Sequence, residues 1–122
     1  DLDISIGFYE ATSDGKFFFL TRYLGRASFA ADNSERQLLA TGVKTMIPIA
    51  ATRMISKRIG KGSRLAIILN VNKHPYDIIN YGSGKPVSEE TIDDAGTPMH
   101  VKWYDESYIT VPIHTASENG AR

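Results

Sequence analysis

The sequence contains no cysteine in its 122 residues. This absence excludes disulfides, thiolate zinc sites and a cysteine nucleophile. It leaves the cellular compartment unassigned, because proteins of oxidising and reducing compartments can both lack cysteine. No apolar run approaches the roughly 20 residues that a membrane-spanning helix needs, so the sequence predicts no membrane span.

The sequence also lacks an excess of charge of either sign. Fourteen basic and fourteen acidic residues give a formal net charge of zero. Without a basic field, nucleic acid is not expected as a partner. The hydrophobic fraction of 42% and the charged fraction of 23% are typical of a soluble globular protein. Length predicts one domain over residues 1–122, burying roughly 65% of the surface that the unfolded chain exposes.

The N-terminal part of the chain predicts a β-hairpin. Apolar residues occupy the even positions from Leu2 to Phe8, the period of two that marks a strand with one buried face. Asp14-Gly15 is a tight-turn signal, since glycine takes positive φ without penalty. Phe17–Tyr23 then predicts the returning strand. Further along, the apolar run Arg64–Val71 is typical of a strand in a sandwich core.

Four further segments predict short strands. Thr45–Ile49 and Thr52–Ser56 are interpreted as one interrupted strand, in which Pro48 favours an edge position or a bulge. Met99–Tyr104 and Tyr108–Ile113 alternate again on either side of a turn at residues 105–107. Short strands separated by glycine turns predict an all-β sandwich or jelly roll.

Residues 72–98 form a long segment rich in glycine, proline and acidic residues, which predicts an ordered loop. Ser88–Ala95 within it predicts a short helix, with Ser88 as its N-cap and Glu89 and Glu90 in its first turn.

No catalytic residue is predicted. Gly82-Ser83-Gly84 lacks both the G-x-S-x-G pattern and the strand–helix pair that surround a hydrolase nucleophile, so it is interpreted as a loop turn. His74, His100 and His114 are widely separated, and no acidic residue is placed to orient one of them. His74, beside a proline in the long loop, is the one histidine kept as a candidate contact residue.

No metal or other cofactor is predicted either. Zinc needs converging His, Cys or carboxylate ligands, and the sequence offers no such spacing. Asp1 and Asp3 fall on one face of the first strand and could contact calcium, but calcium takes six or more oxygen ligands. Pairing with Arg or Lys is the favoured interpretation. Glu89-Glu90 and Asp93-Asp94 are interpreted as a solvated helix face, in preference to the paired carboxylates of a glycosidase.

Tyr76, Tyr81, Trp103 and Tyr104 leave two interpretations open. Together they could form a sugar-stacking platform, because aromatic faces offer large contact area at small entropic cost. Alternatively the two loop tyrosines pack against another domain. Strand alternation with Val101 predicts Trp103 in the core and Tyr104 on the surface.

An ordered set of motifs covers nearly the whole chain. It begins with Asp1-Leu2-Asp3 before a strand, Asp14-Gly15 in the turn, and Leu24-Gly25-Arg26-Ala27-Ser28-Phe29. It continues with Lys61-Gly62-Ser63-Arg64-Leu65, the Pro75, Asn80 and Gly84 loop, and Ser107-Tyr108-Ile109-Thr110-Val111-Pro112-Ile113. The set resembles the C-terminal jelly-roll domain of the family of serine hydrolases that includes X-Pro dipeptidyl-peptidases, cocaine esterase and α-amino acid ester hydrolases.

The resemblance implies a galactose-binding-like jelly roll with no catalytic residue of its own. It implies that an α/β-hydrolase domain outside this chain carries a Ser-Asp-His triad and hydrolyses esters, amides or X-Pro peptides. The expected partner is that catalytic domain, with a homo-oligomer also possible. His74, Tyr76, Asn80 and Tyr81 are the candidate interdomain contacts. The family has further strands before the position of Asp1, so the chain is expected to be truncated at its N-terminal edge. A free-standing carbohydrate-binding module remains the alternative.

Overall fold

A computed structural model describes residues 1–96 and 98–114, and its main element is a three-stranded antiparallel sheet. Strands β1 (Asp3–Ala11), β2 (Phe17–Arg26) and β3 (Arg64–Val71) lie in the order β2-β1-β3. Within the described residues the only helical elements are short 3-10 turns, at Ala27–Phe29, Val87–Glu89 and Ile92–Gly96. The structure is therefore mostly strand, as predicted for the all-β class.

The β1–β2 hairpin closes through the predicted turn. The Thr12 N–H donates to the Lys16 carbonyl at 2.8 Å, and Gly15 adopts a φ of 84°. The Thr12 hydroxyl also donates to Asp14. The strands then pair from Ala11 to Asp3, with one β-bulge beside Phe8 and Tyr9. Bulges increase twist and interrupt pairing locally, so the two halves of β2 differ in register.

Strand β1 lies between its two partners, and its backbone bonds alternate between them. The Ala27 N–H donates to the Leu2 carbonyl at 2.9 Å, just beyond the end of β2. The Asn72 N–H donates to the Asp3 carbonyl at 2.6 Å, just beyond β3. Antiparallel strands alternate hydrogen-bonded and non-hydrogen-bonded pairs. The backbone N–H and C=O groups of the even residues of β1 therefore point toward β2, and those of the odd residues point toward β3. The β1–β3 register runs without a bulge.

A small apolar core lies on one face of the sheet. Leu2, Ile4 and Ala27 are buried, and they are packed against by side chains from the sheet and from later loops: Ile6, Leu39, Ile47, Ile49, Val71 and Val101. The connection between β2 and β3 therefore crosses this face. It approaches closely at Gly25, where an added Cβ would lie 2.8 Å from Ile49 Cγ1.

The strands predicted in the four other segments are wrong. Neither the interrupted strand of residues 45–56 nor the pair at Met99–Tyr104 and Tyr108–Ile113 forms a ladder. A strand needs a neighbour for its backbone groups, and within residues 1–96 and 98–114 only the three strands pair with one another. The apolar side chains of Ile47, Ile49 and Val101 pack on the sheet instead. Only the turn near Asp105 is confirmed, by a bond from Ser107 N–H to the Tyr104 carbonyl.

Two finer predictions are also corrected. The helix expected at Ser88–Ala95 is replaced by two 3-10 turns, because Glu90 between them is extended, with ψ of 142°. Trp103 is not in the core, since 46% of it is exposed. Tyr104 is more buried than Trp103, and Lys44 and Lys102 lie over its ring at 4.6 and 5.2 Å.

The sheet exposes large apolar side chains on both of its faces. We call the apolar sheet surface the set of more than one-third exposed apolar side chains on β2 and β3, with Phe18, Leu65, Ile67 and Leu69 on the core face and Phe17, Phe19, Leu24 and Ile68 on the other. Separately, none of the helical turns in the described part of the chain has the length or apolar character to cross a membrane.

Candidate functional site

The loop after β3 is fastened to the beginning of β1 by a buried polar contact. Asn80 is 1% exposed, and its side-chain amide donates to Asp3 Oδ1 at 3.0 Å. The Arg26 guanidinium donates to both oxygens of Asp3, at 2.8 and 3.0 Å. Asn80 Oδ1 in turn accepts the Gly82 N–H at 2.9 Å. Buried polar groups that are paired in this way hold a unique geometry, so the loop has a fixed base.

A second polar contact ties the same loop to Asp1. The Asp1 carboxylate is fully buried. It accepts a hydrogen bond from the Ser28 hydroxyl at 2.8 Å and lies 3.4 Å from Arg36 Nη2. The same guanidinium donates to the carbonyls of Gly84 and Lys85, at 3.0 and 2.7 Å. Arg36 therefore bridges the start of the chain and the far side of the loop.

The contacts of Asp1 and Asp3 are those of the pairing interpretation. Both carboxylates pair with arginine, as favoured from the sequence. Across residues 1–96 and 98–114 no cluster of three or more His, Cys, Asp or Glu side chains is arranged to hold a metal ion. The two carboxylates have a structural role in joining strand and loop.

Glu90 organises the middle of the loop. Its carboxylate accepts the Tyr81 N–H at 2.8 Å, the Ser83 N–H at 2.9 Å and the Ser83 hydroxyl at 2.6 Å. Burial opposes ionisation of Glu90, but these donors outweigh burial and lower its pKa. The prediction that Glu90 lies on a solvated helix face is therefore wrong.

The beginning of the loop projects from the sheet. Tyr76 is 91% exposed, and the His74 ring lies 5.5 Å from the Tyr76 ring at a tilt of 52°. Beneath them the Asp77 carboxylate pairs with Arg22 on β2, with Nη2 at 2.9 Å from Oδ2. Burial opposes ionisation of Asp77, but Arg22 and Asn72 outweigh it and lower the pKa. This ion pair ties the residue that follows the exposed His74–Tyr76 segment to β2.

The four candidate contact residues thus divide into two kinds. His74 and Tyr76 face solvent, whereas Asn80 is an internal anchor. Tyr81 is half-buried, with Lys73 Nζ 5.7 Å from its ring. Only His74, Tyr76 and part of Tyr81 are therefore available to another molecule.

The aromatic residues considered for sugar binding lie apart. In the part of the chain that the structure describes, the four rings of Tyr76, Tyr81, Trp103 and Tyr104 form no ring pair with one another. A second aromatic group, of Tyr9, Phe17 and Phe19, meets edge to face at 80° and 64°. Neither group forms a flat platform.

Sequence reasoning missed the three arginines that complete the site. Arg22, Arg26 and Arg36 are separated in sequence from their acidic partners by 55, 23 and 35 residues. No local spacing connects them. The one available signal was the pair of acidic residues at the start of a strand, which requires cationic or amide partners once it is buried.

Comparison with known proteins adds no relative to this picture. No protein-family model, curated protein or solved structure matches the chain.

Proposed function

We propose that this chain is a non-catalytic jelly-roll domain of a larger serine hydrolase. It packs on an α/β-hydrolase domain of the same protein and helps to shape the pocket of that domain. The parent enzyme hydrolyses an ester, an amide or an X-Pro peptide through an acyl-enzyme. The ordered motifs between Asp1 and Ile113 support the family, and the loop around Tyr76 supplies the contact.

The observation that carries the proposal is the apolar sheet surface. Phe17 and Phe19, 61 and 55% exposed, share one face of β2, whereas Phe18, 57% exposed, lies on the opposite face. Patches of exposed apolar side chains mark interaction sites. Aromatic residues are enriched in protein interfaces relative to the rest of the surface, and Tyr76 projects from the loop that follows β3.

Labelling the full-length source protein with a fluorophosphonate probe, followed by peptide mapping, tests the proposal. We expect a labelled serine outside these 122 residues. A label on Ser83, or on another serine of this chain, would overturn the non-catalytic assignment. A folded, unlabelled protein would contradict the serine hydrolase parent.

The contact loop is tested in the same full-length protein by Tyr76→Ala combined with Tyr81→Ala. Loss of both rings removes apolar contact area, so we expect a lower Tm and a changed kcat/KM. Tyr108→Ala is the matched control, because Tyr108 is 80% exposed and lies outside the loop. Melting and kinetics indistinguishable from those of the control variant would refute docking through this loop.

One observation keeps a carbohydrate-binding module as the second candidate. Trp103, expected in the core, is instead 46% exposed and could stack on a sugar ring. Titration with oligosaccharides, followed by tryptophan fluorescence, distinguishes the two functions. A saturable response that Trp103→Ala abolishes favours the module, whereas no response favours the accessory domain.

A further inference from the structure

The outer edge of β3 presents a row of backbone groups to solvent. The Asn72 N–H faces β1, as its bond to the Asp3 carbonyl shows. Residues of a strand alternate in the side toward which both N–H and C=O point. The backbone groups of Leu65, Ile67, Leu69 and Val71 therefore point away from β1. No strand within residues 1–96 and 98–114 pairs with that edge.

Side chains on both faces of β3 are apolar. Leu65, Ile67 and Leu69 lie on one face and Ile68 on the other, each 37–42% exposed. A strand that is apolar on both sides is typical of the interior of a sheet. The position of β3 at the edge of this sheet therefore conflicts with its composition.

Strand β3 also lacks the features that protect edges. Proteins protect edge strands with lysine, proline or a bulge. Strand β2 has a bulge and carries Arg22 and Arg26, whereas β3 has no bulge, no proline and no lysine, and its one charge is Arg64 at the first position. The two edges of the sheet therefore differ, and β3 is the one open to pairing.

We infer that β3 binds β3 of a second copy of this chain, antiparallel, about a two-fold axis centred on Ile68. This symmetry is closed, so pairing stops at two copies. The axis places Ile67 opposite Leu69 and Leu65 opposite Val71, and these are the residues whose backbone groups face outward. Two three-stranded sheets become one continuous six-stranded sheet.

Charge disfavours one of the neighbouring registers. An axis centred on Ile67 also aligns outward-facing residues, but it places Lys61 of each copy opposite Lys73 of the other. Like charges directly opposite one another are destabilising. With the axis on Ile68, Arg64 lies opposite Asn72 and Lys73 opposite Ser63, so no like charges face each other. The zero net charge of the chain adds no long-range repulsion between copies.

The inference is tested on the 122-residue chain by light scattering and amide hydrogen exchange across a dilution series. We expect a dimer in which the amides of Leu65, Ile67, Leu69 and Val71 gain protection as concentration rises. The amides of Ala66 and Ile68, already bonded to β1, serve as internal references. A monomer at every concentration, or a dimer in which the four amides exchange rapidly, overturns the proposal.

Proline at position 67 tests the same edge by mutation. Ile67→Pro removes an N–H that β1 does not use, so the sheet should persist. The dimer loses two symmetry-related hydrogen bonds, and its dissociation constant should rise about tenfold or more. Ile67→Thr keeps the N–H and the β-branch, and it should dimerise more strongly than the proline variant. Equal dimerisation of the two variants refutes edge pairing. Should Ile67→Pro fail to fold, hydrogen exchange of the unmodified chain decides.

This inference does not depend on the proposed function. Fluorophosphonate labelling reports on a serine outside the chain, whereas exchange at β3 reports on the chain alone. The labelling experiment can contradict the proposed function while the exchange experiment supports the dimer, and the reverse also holds.

Discussion

Two glycines of the sheet are required by the side chains that lie over them. An added Cβ at Gly7 would lie 2.8 Å from Tyr9 Cε2, and at Gly25 it would lie 2.8 Å from Ile49 Cγ1. The missing side chain of Gly7 leaves room for the Tyr9 ring, and that of Gly25 leaves room for Ile49 in the connection between β2 and β3. Ile49 also packs against the apolar core.

Gly25→Ala should therefore destabilise the fold by about 1–3 kcal/mol, the usual cost of overpacking. Urea denaturation gives the change in unfolding free energy. In Gly25→Ala/Ile49→Ala the clash is relieved, so the double variant should lose less stability than the sum of the single variants. Gly96→Ala is the control, since no atom lies within 4 Å of its added Cβ. Additive effects would show that Ile49 does not rest on Gly25.

Asn80 donates a hydrogen bond to Asp3, although 77 residues separate the two in sequence. Asn80→Ala leaves a buried carboxylate oxygen with one donor fewer, and the Gly82 N–H without its acceptor. We expect a loss of about 1–3 kcal/mol in unfolding free energy, measured by urea denaturation. Asn33→Ala, at an exposed position, should change stability little. A similar effect of the two substitutions would argue against Asn80 as an anchor.

At the scale of elements, the loop after β3 is ordered by side chains and not by regular structure. Its backbone N–H groups at Tyr81 and Ser83 both donate to Glu90. A single ionised carboxylate therefore fixes a turn that no helix or strand holds.

This dependence predicts a pH effect. Because the folded-state pKa of Glu90 is lowered, its contribution to stability is present above the unfolded pKa of about 4.3. It is lost as the pH falls through the lower folded-state pKa. Glu90→Gln should be less stable than the parent at neutral pH, and the difference should shrink on acidification. Stability curves against pH measure this, with Glu35→Gln, at an exposed position, as control. A constant difference across the acid range would contradict the assignment.

The elements differ in how far the sequence predicts them. Strands β1 and β2 and their turn follow from local alternation and Asp14-Gly15, and β3 follows from its apolar run. The alternation of Thr45–Ile49 and Met99–Tyr104 is similar, yet these segments are not strands. Alternation reports burial of one face, and Ile47, Ile49 and Val101 achieve that burial without a ladder. Pairing depends on a neighbour, which a local pattern does not reveal.

Only part of the candidate site follows from the sequence. Tyr76, in the loop after β3, lies at the surface. The inward orientation of Asn80 depends on Asp3 and Arg26, both more than 50 residues away in sequence. Such long-range pairing of polar groups is set by the tertiary fold, so residue spacing alone does not predict it.

At the scale of the whole molecule, a neutral chain carries an open apolar strand edge. Main-chain hydrogen bonds and apolar contacts respond weakly to ionic strength, unlike interactions between exposed charges. Raising the salt concentration from about 0.01 M to about 0.15 M shortens the screening length from about 30 Å to about 8 Å. The dissociation constant of the β3 dimer should then change less than about twofold. Sedimentation equilibrium measures it, and a steep salt dependence would point to a charge-driven association instead.

The anchoring of β1 by residues far along the chain has a consequence for biosynthesis. Asp3 leaves the ribosome with its partner Arg26 only 23 residues behind, but with Asn80 77 residues behind. At roughly 5–20 residues per second, Asn80 follows Asp3 by about 4–15 s. During that interval the hairpin can form and Arg26 can shield the carboxylate, while β3 and its loop are still being translated. If the hairpin forms in that interval, one side of β1 stays open to whatever lies near the tunnel exit until β3 has been made.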